Sequence, residues 1–413
     1  MTKEKFIKPR YGSHSIAEIV PSIQALFGVP TDREVFPFIK NEIGKYDKVI
    51  LFIVDGFGFN HFQKYKKRFP FLNKMSSAGS VHPITSVFPS TTAAAVTTVH
   101  TGLTPQEHGL PEWSVYFEEL DEVIETLPFR PLKTKGQDTM LKRGGKAGML
   151  FNGGTLYQKL KSQGVESFVF MPKDLAYSAY SAAVQKGSKI VPFSSVQGLA
   201  KKFAFVLKNH KGPAYFFVYW GEIDSAAHHH GPNSLEHKQA INKFFGTLEK
   251  KFFKKIKTKL FNNTLVMLSA DHGQINVNPE DTIYLNKYPE LIRNFAKSRS
   301  GKIIPPTGSP RDIFLHIKPK KIEETIKLLQ KLLGNKVEIL RTSDAYKKRW
   351  FGINKPTKRF NNRVGNLLIL SRKNYLIWYE HVPGKLFKHK GMHGGATEKE
   401  MTVPLAMARM SDL

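Results

Sequence analysis

The fold is decided by residues 49–56, which read Val-Ile-Leu-Phe-Ile-Val-Asp-Gly. An unbroken apolar run that ends in a polar residue and a glycine predicts a strand buried on both faces of a parallel sheet. Asp55 then stands at the carboxyl end of that strand, where open α/β sheets bind their ligands. The stretch therefore predicts a sheet and also the edge of the sheet at which a site would lie.

A second element follows at residues 88–102, where Phe-Pro-Ser-Thr-Thr precedes an alanine-rich run that closes with Thr101 and Gly102. Proline and hydroxyl residues before good helix formers mark the start of a helix, and glycine marks its end. A hydroxyl in the first helical turn faces free backbone N–H groups, which favour a phosphate. Residues 49–102 thus supply a carboxylate at a strand end and a hydroxyl at a helix start.

Other apolar runs extend this pattern and predict a doubly wound α/β fold with a mostly parallel sheet. We expect further strands at 147–151, 165–171, 214–220 and 264–269, and strands that alternate with helices indicate a parallel sheet. The sequence pattern changes near residue 280, where proline-rich loops precede a strand–helix–strand pattern. We therefore expect a core of residues 1–279 and 376–413, with a small α+β cap inserted at 280–375.

Composition limits the possible classes of protein. The chain has 413 residues, no cysteine, and a net charge of +29 from 63 Lys and Arg against 34 Asp and Glu. Without cysteine there are no disulfides or thiolate ligands, which favours a cytoplasmic location. No apolar run reaches membrane-spanning length, and Met1–Phe6 lacks the apolar core of a signal peptide.

The positive charge raises the question of nucleic-acid binding. Such a surface attracts polyanions, but the basic residues are scattered along the chain. The densest cluster lies in residues 241–260, where apolar residues from Ile241 to Leu260 form a helical stripe and the lysines fall mostly off it. We therefore favour a solvated face of a core-packed helix over a nucleic-acid site, which remains an alternative.

Two predicted strands are each followed by a carboxylate and a histidine. Asp224 and His228 are four residues apart, so they share one helical face and can hold one metal ion. Asp271 and His272 are adjacent, and the glycine that follows them allows a sharp turn through which both can reach one ion. Because these strands are expected to be parallel, their carboxyl ends should meet at one edge.

Metal chemistry is indicated by the set as a whole rather than by any one motif. His393 lies in a glycine-rich loop where the backbone can approach a ligand closely. Oxygen and imidazole ligands without thiolate suit zinc, with manganese as a second choice. Their number suits two ions, which can clamp the attacking and leaving oxygens of a phosphoryl displacement. The residues are Asp55, Thr92, Asp224, His228, Asp271, His272 and His393.

From residue 47 to the carboxyl terminus these motifs resemble the alkaline phosphatase superfamily, and most closely its type I phosphodiesterase/nucleotide pyrophosphatase branch. In that family an aspartate ends the first strand, as Asp55 does here. The nucleophile precedes the threonine of a Thr-Gly pair by nine residues, and from Thr101 that count selects Thr92. Residues 224–232 resemble the family's Asp-x-x-x-His-x-x-Gly-Pro element, and residues 271–273 resemble its Asp-His-Gly element.

The resemblance implies a role for each residue and an activity for the chain. It assigns one metal ion to Asp224, His228 and His393, and the other to Asp55, Thr92, Asp271 and His272. It further implies a two-metal phosphodiesterase or nucleotide pyrophosphatase that acts on a small phosphate ester or nucleotide through a covalent phosphothreonine. The fold it implies is an alkaline-phosphatase-like α/β sheet.

Two positions depart from the family pattern. The branch often places its nucleophile just before Phe-Pro, and Val87 at that position cannot attack, so Ser90 and Thr91 stay open beside Thr92. The branch also carries an asparagine near its nucleophile, and residues 87–113 contain none. Trp113 lies in that region instead, and we expect it to stack on a base or to close the pocket.

Two rival functions follow from the same residues. A phosphomonoesterase or a phosphomutase could use this site unchanged. A protein of another class, a basic nucleic-acid-binding protein, would use the metal site only for structure. Structural metal sites are saturated by protein ligands and need no nucleophile, so a hydroxyl among the ligands argues against that class.

Overall fold

A seven-stranded mixed sheet forms the centre of the structure, which is a computed structural model describing residues 5–413. The first four residues of the segment Met1–Phe6 lie outside the described part of the chain. From one edge to the other, the strands are Ser80–Thr85, Thr402–Arg409, Thr264–Ser269, Lys48–Val54, Ala214–Trp220, Glu166–Pro172 and Lys189–Phe193. Only Thr402–Arg409 runs antiparallel to its neighbours, so the prediction of a mostly parallel sheet is confirmed.

Helices cover both faces of this sheet. Phe216 and Phe217 are adjacent in a strand, so their side chains point to opposite faces. The ring of Phe203, in the helix Val196–Asn209, lies 6.0 Å from that of Phe216. The ring of His100, in the helix Thr92–Thr101, lies 4.6 Å from that of Phe217. The doubly wound arrangement is therefore confirmed.

Smaller sheets flank the central one. A four-stranded sheet has the order Thr307–Ser309, Asp312–Leu315, Leu367–Ser371 and Val337–Arg341. It falls within the span expected for the cap, although the domain limits themselves stay a prediction. The others are a three-stranded sheet and two strand pairs: Ser114–Phe117, Glu122–Glu125 and Arg130–Pro131; Ile275–Asn276 with Gly391–Met392; and Ile283–Tyr284 with Ile377–Trp378.

The α-helices of the described residues connect these strands. None of them is both long enough and apolar enough to cross a membrane. They span Ile19–Leu26, Phe59–Tyr65, Pro70–Ser77, Thr92–Thr101, Pro105–His108, Ala147–Leu150, Leu156–Lys161, Ala179–Val184, Val196–Asn209, Glu222–His230, Leu235–Leu248, Pro289–Ile292, Ile322–Leu333, Thr342–Lys347, Lys358–Val364 and Glu398–Met401.

Two local predictions are wrong. Residues 147–151 do not form a strand, because Ala147–Leu150 is one helical turn whose Leu150 packs in an apolar cluster with Phe117. A short apolar run does not by itself distinguish a strand from a buried helix. The helix expected to carry the stripe to residue 260 instead ends at Leu248, passes through a π-turn, and leaves Leu260 73% exposed.

Candidate active site

The register of the central strands brings three aspartates to one edge of the sheet. Within the parallel ladder Ile53 pairs with Tyr219 on one side and with Ser269 on the other. Asp55 therefore emerges between the segments that lead to Asp224 and Asp271. The backbone N–H of Gly56 donates to Asp271 Oδ1 at 3.2 Å, which ties two of these strand ends together.

Three histidines meet these carboxylates, and each is oriented by a backbone carbonyl. The Nδ1 atom lies 2.7 Å from the Gly391 oxygen in His228, 3.1 Å from the Gly273 oxygen in His272, and 2.9 Å from the Ser90 oxygen in His393. A carbonyl only accepts, so each Nδ1 carries a proton and each ring turns its Nε2 toward the cluster. This is the form of histidine that binds metal ions.

The Nε2 atoms all face the carboxylates. His272 Nε2 lies 3.3 Å from Asp55 Oδ1 and 3.4 Å from Asp271 Oδ2. His228 Nε2 lies 3.3 Å from Asp224 Oδ2 and 3.2 Å from His393 Nε2. The predicted metal-ligating residues are thus brought together from separate parts of the chain.

The buried carboxyl groups of this cluster offer oxygen atoms that a cation could bind. Asp55 Oδ1 and Asp271 Oδ2 are buried and have no hydrogen-bond partner in the described residues. Burial and the neighbouring Asp271 and Asp224 raise the pKa of Asp55 well above its usual value. Burial raises the pKa of Asp224 to about 6 and lowers that of His393 well below its usual value. Orphaned carboxylate oxygens beside imidazole lone pairs fit divalent cations.

The geometry divides the ligands slightly differently from the family assignment. Ligand atoms of Asp55, Asp271 and His272 lie within 4.8 Å of one another, which matches the second ion of that assignment. Ligand atoms of Asp224, His393 and His272 form the other group. His272 therefore borders both groups, since its ring stacks on that of His393 with the centroids 3.5 Å apart. His228 contacts the group of Asp224, His393 and His272 through the Asp224 carboxylate.

Of the three candidate hydroxyls, only that of Thr92 faces the cluster of aspartates and histidines. Ser90 Oγ donates to the Gly395 carbonyl at 2.7 Å, and Thr91 Oγ1 caps the helix by accepting from the Ala94 N–H at 3.5 Å. Thr92 is the first residue of the helix, and its Oγ1 lies 3.2 Å from His272 Nε2. This arrangement favours Thr92 as the nucleophile.

A cavity of about 890 Å³ opens onto this cluster. Thr92, Asp55 and Asp224 line its inner end, whereas Asp271 and His272 are buried behind it. Trp113 lines the cavity and is 41% exposed, so its ring is available to a ligand. The remaining wall carries aromatic side chains, among them Phe193, Trp378 and Phe387, and charged side chains of both signs, such as Lys173 and Glu125.

The sequence reasoning missed two residues that hold the carboxylates in place. The Tyr219 hydroxyl donates to Asp55 Oδ2, and the Gln274 amide donates to Asp224 Oδ1. Tyr219 stands one residue from the end of the strand beside Asp55, and that polar group at a strand end could have indicated it. Gln274 directly follows the Asp-His-Gly element but carries no spacing of its own.

A further pair of carboxyl groups lies beside the cavity and was also missed. Glu112 and Asp312 are fully buried and interact through their side chains, and Ser309 Oγ donates to Asp312 Oδ1 at 2.6 Å. Burial raises the pKa of Glu112 to about 7, and burial and Glu112 raise that of Asp312 well above its usual value. Two buried carboxyl groups in this position disfavour a negative charge on both, and the pair connects the Trp113 segment to the four-stranded sheet.

Comparison with known proteins agrees with this site. The model of the type I phosphodiesterase/nucleotide pyrophosphatase family matches residues 49–396. The chain belongs to that family. The matched span includes every residue named above as a candidate metal ligand.

Curated relatives are distant and longer. The chain is 24% identical over 275 residues to ectonucleotide pyrophosphatase/phosphodiesterase family member 3 of Rattus norvegicus, covering 64% of this chain and 29% of that protein. It is also 24% identical over 273 residues to venom phosphodiesterase CdcPDE of Crotalus durissus collilineatus, covering 64% and 31%. The chain therefore matches less than a third of the length of these two relatives.

Solved structures share the fold. Murine ectonucleotide pyrophosphatase/phosphodiesterase 5 superposes with a TM-score of 0.64 at 17% identity, over 87% of this chain and 88% of that chain. An inactive variant of that murine protein, in complex with AMP, gives a TM-score of 0.62 at 16% identity, with 87% of each chain covered. The alkaline-phosphatase-like α/β fold is thus confirmed.

Proposed function

We propose that the chain is a metal-dependent phosphodiesterase or nucleotide pyrophosphatase that acts through a covalent phosphothreonine on Thr92. One observation carries this proposal: the Thr92 hydroxyl opens onto the cavity at a helix start, 3.2 Å from His272 Nε2. Family membership and the nucleotide bound to the murine neighbour support the substrate class.

The donor set fits two divalent ions, most suitably zinc, with manganese as the alternative. Asp55, Asp271 and His272 would hold one ion, with Thr92 beside it. Asp224, His228 and His393 would hold the other. When bound, such ions would lower the pKa of the Thr92 hydroxyl and stabilise the oxygen that leaves.

The residues of the chain supply position and orientation for the reaction. The Thr92 oxygen attacks phosphorus while the bond to the leaving oxygen breaks, and water then cleaves the phosphothreonine. The helix that begins at Thr92 directs free backbone N–H groups toward the negative phosphoryl group. Trp113 would stack on a base or close the cavity over it.

The test is a trapping experiment with variants of the three neighbouring hydroxyls. Thr92→Ala should lower turnover by about 10³-fold or more, because removal of a nucleophile removes the covalent route. Thr91→Ala should cost roughly 1 kcal/mol of stability through its lost helix cap, and Ser90→Ala should affect the loop at Gly395, while turnover persists in each. Substrate is added to the wild type, the reaction is stopped with acid, and the phosphopeptide is mapped. Phosphate on Ser90 or Thr91 would overturn the assignment.

The reaction class is decided by a paired assay. A diester and a monoester with the same leaving group are hydrolysed under the same conditions, and the proposal expects a higher kcat/KM for the diester. A preference for the monoester would favour the phosphomonoesterase or phosphomutase instead. Absence of turnover with either ester, together with tight binding of duplex DNA at physiological salt, would favour the nucleic-acid-binding class.

A further inference from the structure

A lysine-rich surface with exposed apolar side chains lies away from the cavity. It is formed by the outward face of the helix Val196–Asn209 and by residues 250–260, and we call it the basic patch. The two segments pack side by side, because the rings of Phe203 and Phe252 stack with their centroids 4.6 Å apart and their planes 15° apart. Their buried faces are thus joined, and their opposite faces meet solvent together.

The helix contributes one apolar and three basic side chains. Phe205 is 67% exposed. Lys201 precedes it by four residues, Lys202 precedes it by three, and Lys208 follows it by three, so all four lie on one helical face. The side chain of Phe203 points the other way, into the core. An apolar ring is therefore displayed among ammonium groups.

The second segment repeats this composition. Its lysines are exposed, and Leu260 at its end is 73% exposed. Residues 250–260 contain no acidic residue, and the carboxylate of Glu249 just before them accepts a hydrogen bond from the Phe71 N–H at 3.0 Å. These lysines are Lys250, Lys251, Lys254, Lys255, Lys257 and Lys259.

The charge of the patch is not neutralised within the chain. Among residues 5–413, none of its nine lysines forms an ion pair with a carboxylate, although Lys202 donates to the Pro192 carbonyl. Lysines elsewhere do form such pairs, for example Lys189 with Glu166 at 2.6 Å. A partner that matches the patch would be anionic and would also accept apolar side chains.

The patch runs along the helix Val196–Asn209, which crosses one face of the sheet, and extends to the edge of the sheet opposite the active site. The helix Val196–Asn209 leads into the amino end of the strand Ala214–Trp220, and residues 250–260 lead into the amino end of Thr264–Ser269. The site lies at the carboxyl ends of these strands. None of the patch residues lines the cavity, so the two surfaces are distinct.

We infer that the basic patch docks the protein on a membrane surface rich in anionic phospholipid. Lysines near such a surface are attracted to the headgroups, and exposed apolar side chains among them enter the interface. The patch contains no arginine, the residue that reads phosphates in pairs of hydrogen bonds, so its composition favours a lipid surface over a nucleic acid. The proposal does not depend on the reaction that the active site performs.

Vesicle sedimentation tests this inference. Wild-type protein is mixed with phosphatidylcholine vesicles that contain about 30% phosphatidylserine, at about 0.1 M salt, and in parallel with pure phosphatidylcholine vesicles. We expect binding to the first and not to the second. Failure to bind the anionic vesicles would overturn the proposal.

Two variants and a matched control separate this patch from net charge alone. Lys201→Glu with Lys254→Glu and Lys257→Glu should lower vesicle partitioning by at least about 100-fold, since the loss of each lysine alone contributes about fivefold and the new carboxylates add repulsion. The control reverses the same number of exposed lysines on the cap side, Lys320→Glu with Lys327→Glu and Lys331→Glu, and should retain binding within about threefold. An equal loss in the control would show that binding follows net charge and not the patch.

Substitution of the exposed apolar side chains distinguishes a lipid partner from a nucleic acid. Phe205→Ser with Leu260→Ser should weaken binding to vesicles several-fold and leave binding to duplex DNA unchanged, because these side chains contribute only where they can enter a lipid interface. Vesicle binding equal to wild type in this variant would refute a lipid partner. Thermal melting and hydrolysis of a soluble substrate, which should not change, verify that the variants fold.

Discussion

The buried ion pair between Arg311 and Glu400 offers a sharp test of how the His393 loop is held. Arg311 Nε and Nη2 donate to the two oxygens of Glu400 at 2.9 and 3.0 Å, and both side chains are fully buried. The same carboxylate accepts from the N–H of Gly395 at 3.1 Å and the hydroxyl of Thr397 at 2.7 Å. One side chain therefore fastens residues 393–397 to the four-stranded sheet.

Glu400→Gln keeps the shape of this group and removes its charge. Removing one partner of a buried pair leaves the other charge uncompensated, which costs about 3–5 kcal/mol. Arg311 still donates to the carbonyls of Tyr375 and Ser371, so we expect the lower end, about 3 kcal/mol. That is a large share of the roughly 5–15 kcal/mol that holds a domain folded.

Urea unfolding followed by circular dichroism measures this loss. Glu398→Gln is the matched control, because it removes an exposed carboxylate from the same short helix and should change stability by less than about 0.5 kcal/mol. Arg311→Met with Glu400→Leu should recover only part of the loss, since the apolar pair leaves no buried charge but leaves the Gly395 N–H and the Thr397 hydroxyl without their acceptor. Equal midpoints for Glu400→Gln and Glu398→Gln would refute the reasoning.

Three further predictions concern the site and its surroundings. Chelation should lower the melting temperature and zinc should restore it, because Asp55 and Asp271 are otherwise buried close together; an unchanged melting curve would count against a metal site. Burial raises the pKa of the Glu107 carboxyl, but hydrogen bonds from Arg33 and Thr104 outweigh burial and hold this pKa at about 2, below its usual 4.5. The stability that ionised Glu107 contributes is therefore present above about pH 4.5 and is lost as the pH falls toward 2. In acid titrations of the stability, Glu107→Gln should lack this loss. Trp113→Ala should raise KM for a nucleotide substrate and spare a small aryl phosphodiester, and equal effects on the two substrates would argue against stacking.

The parts of the fold that the sequence predicts best are those with a strong pattern. The strand that precedes Asp55 has no polar residue between Val49 and Val54, so the sequence predicts both its burial and the edge of the sheet at which the site lies. The helix from Thr92 to Thr101 carries its own start and stop signals and lies where they predict. Residues 147–150 have only a short apolar run, and tertiary packing decided their conformation.

The candidate site divides in the same way. Motif spacing identified Asp224, His228 and the other candidate ligands, because metal ligation restricts residue type and order. The spacing from Thr101 selected Thr92 but left Ser90 open, and the hydrogen bond that engages the Ser90 hydroxyl is visible only once the Gly395 loop is in place. The Glu112–Asp312 pair joins positions 200 residues apart in the chain, and no local sequence pattern predicts such a contact.

The position of the strand Thr402–Arg409 has a consequence for synthesis on the ribosome. This strand lies between Ser80–Thr85 and Thr264–Ser269, which do not pair with each other. Until it emerges, the nascent chain exposes two unpaired edges, which are templates for pairing with other chains. His393 is translated just before this strand. The sheet is therefore completed at about the same stage of translation at which the last predicted metal ligand becomes available. Nascent chains arrested before residue 402 should therefore be the ones most in need of chaperones.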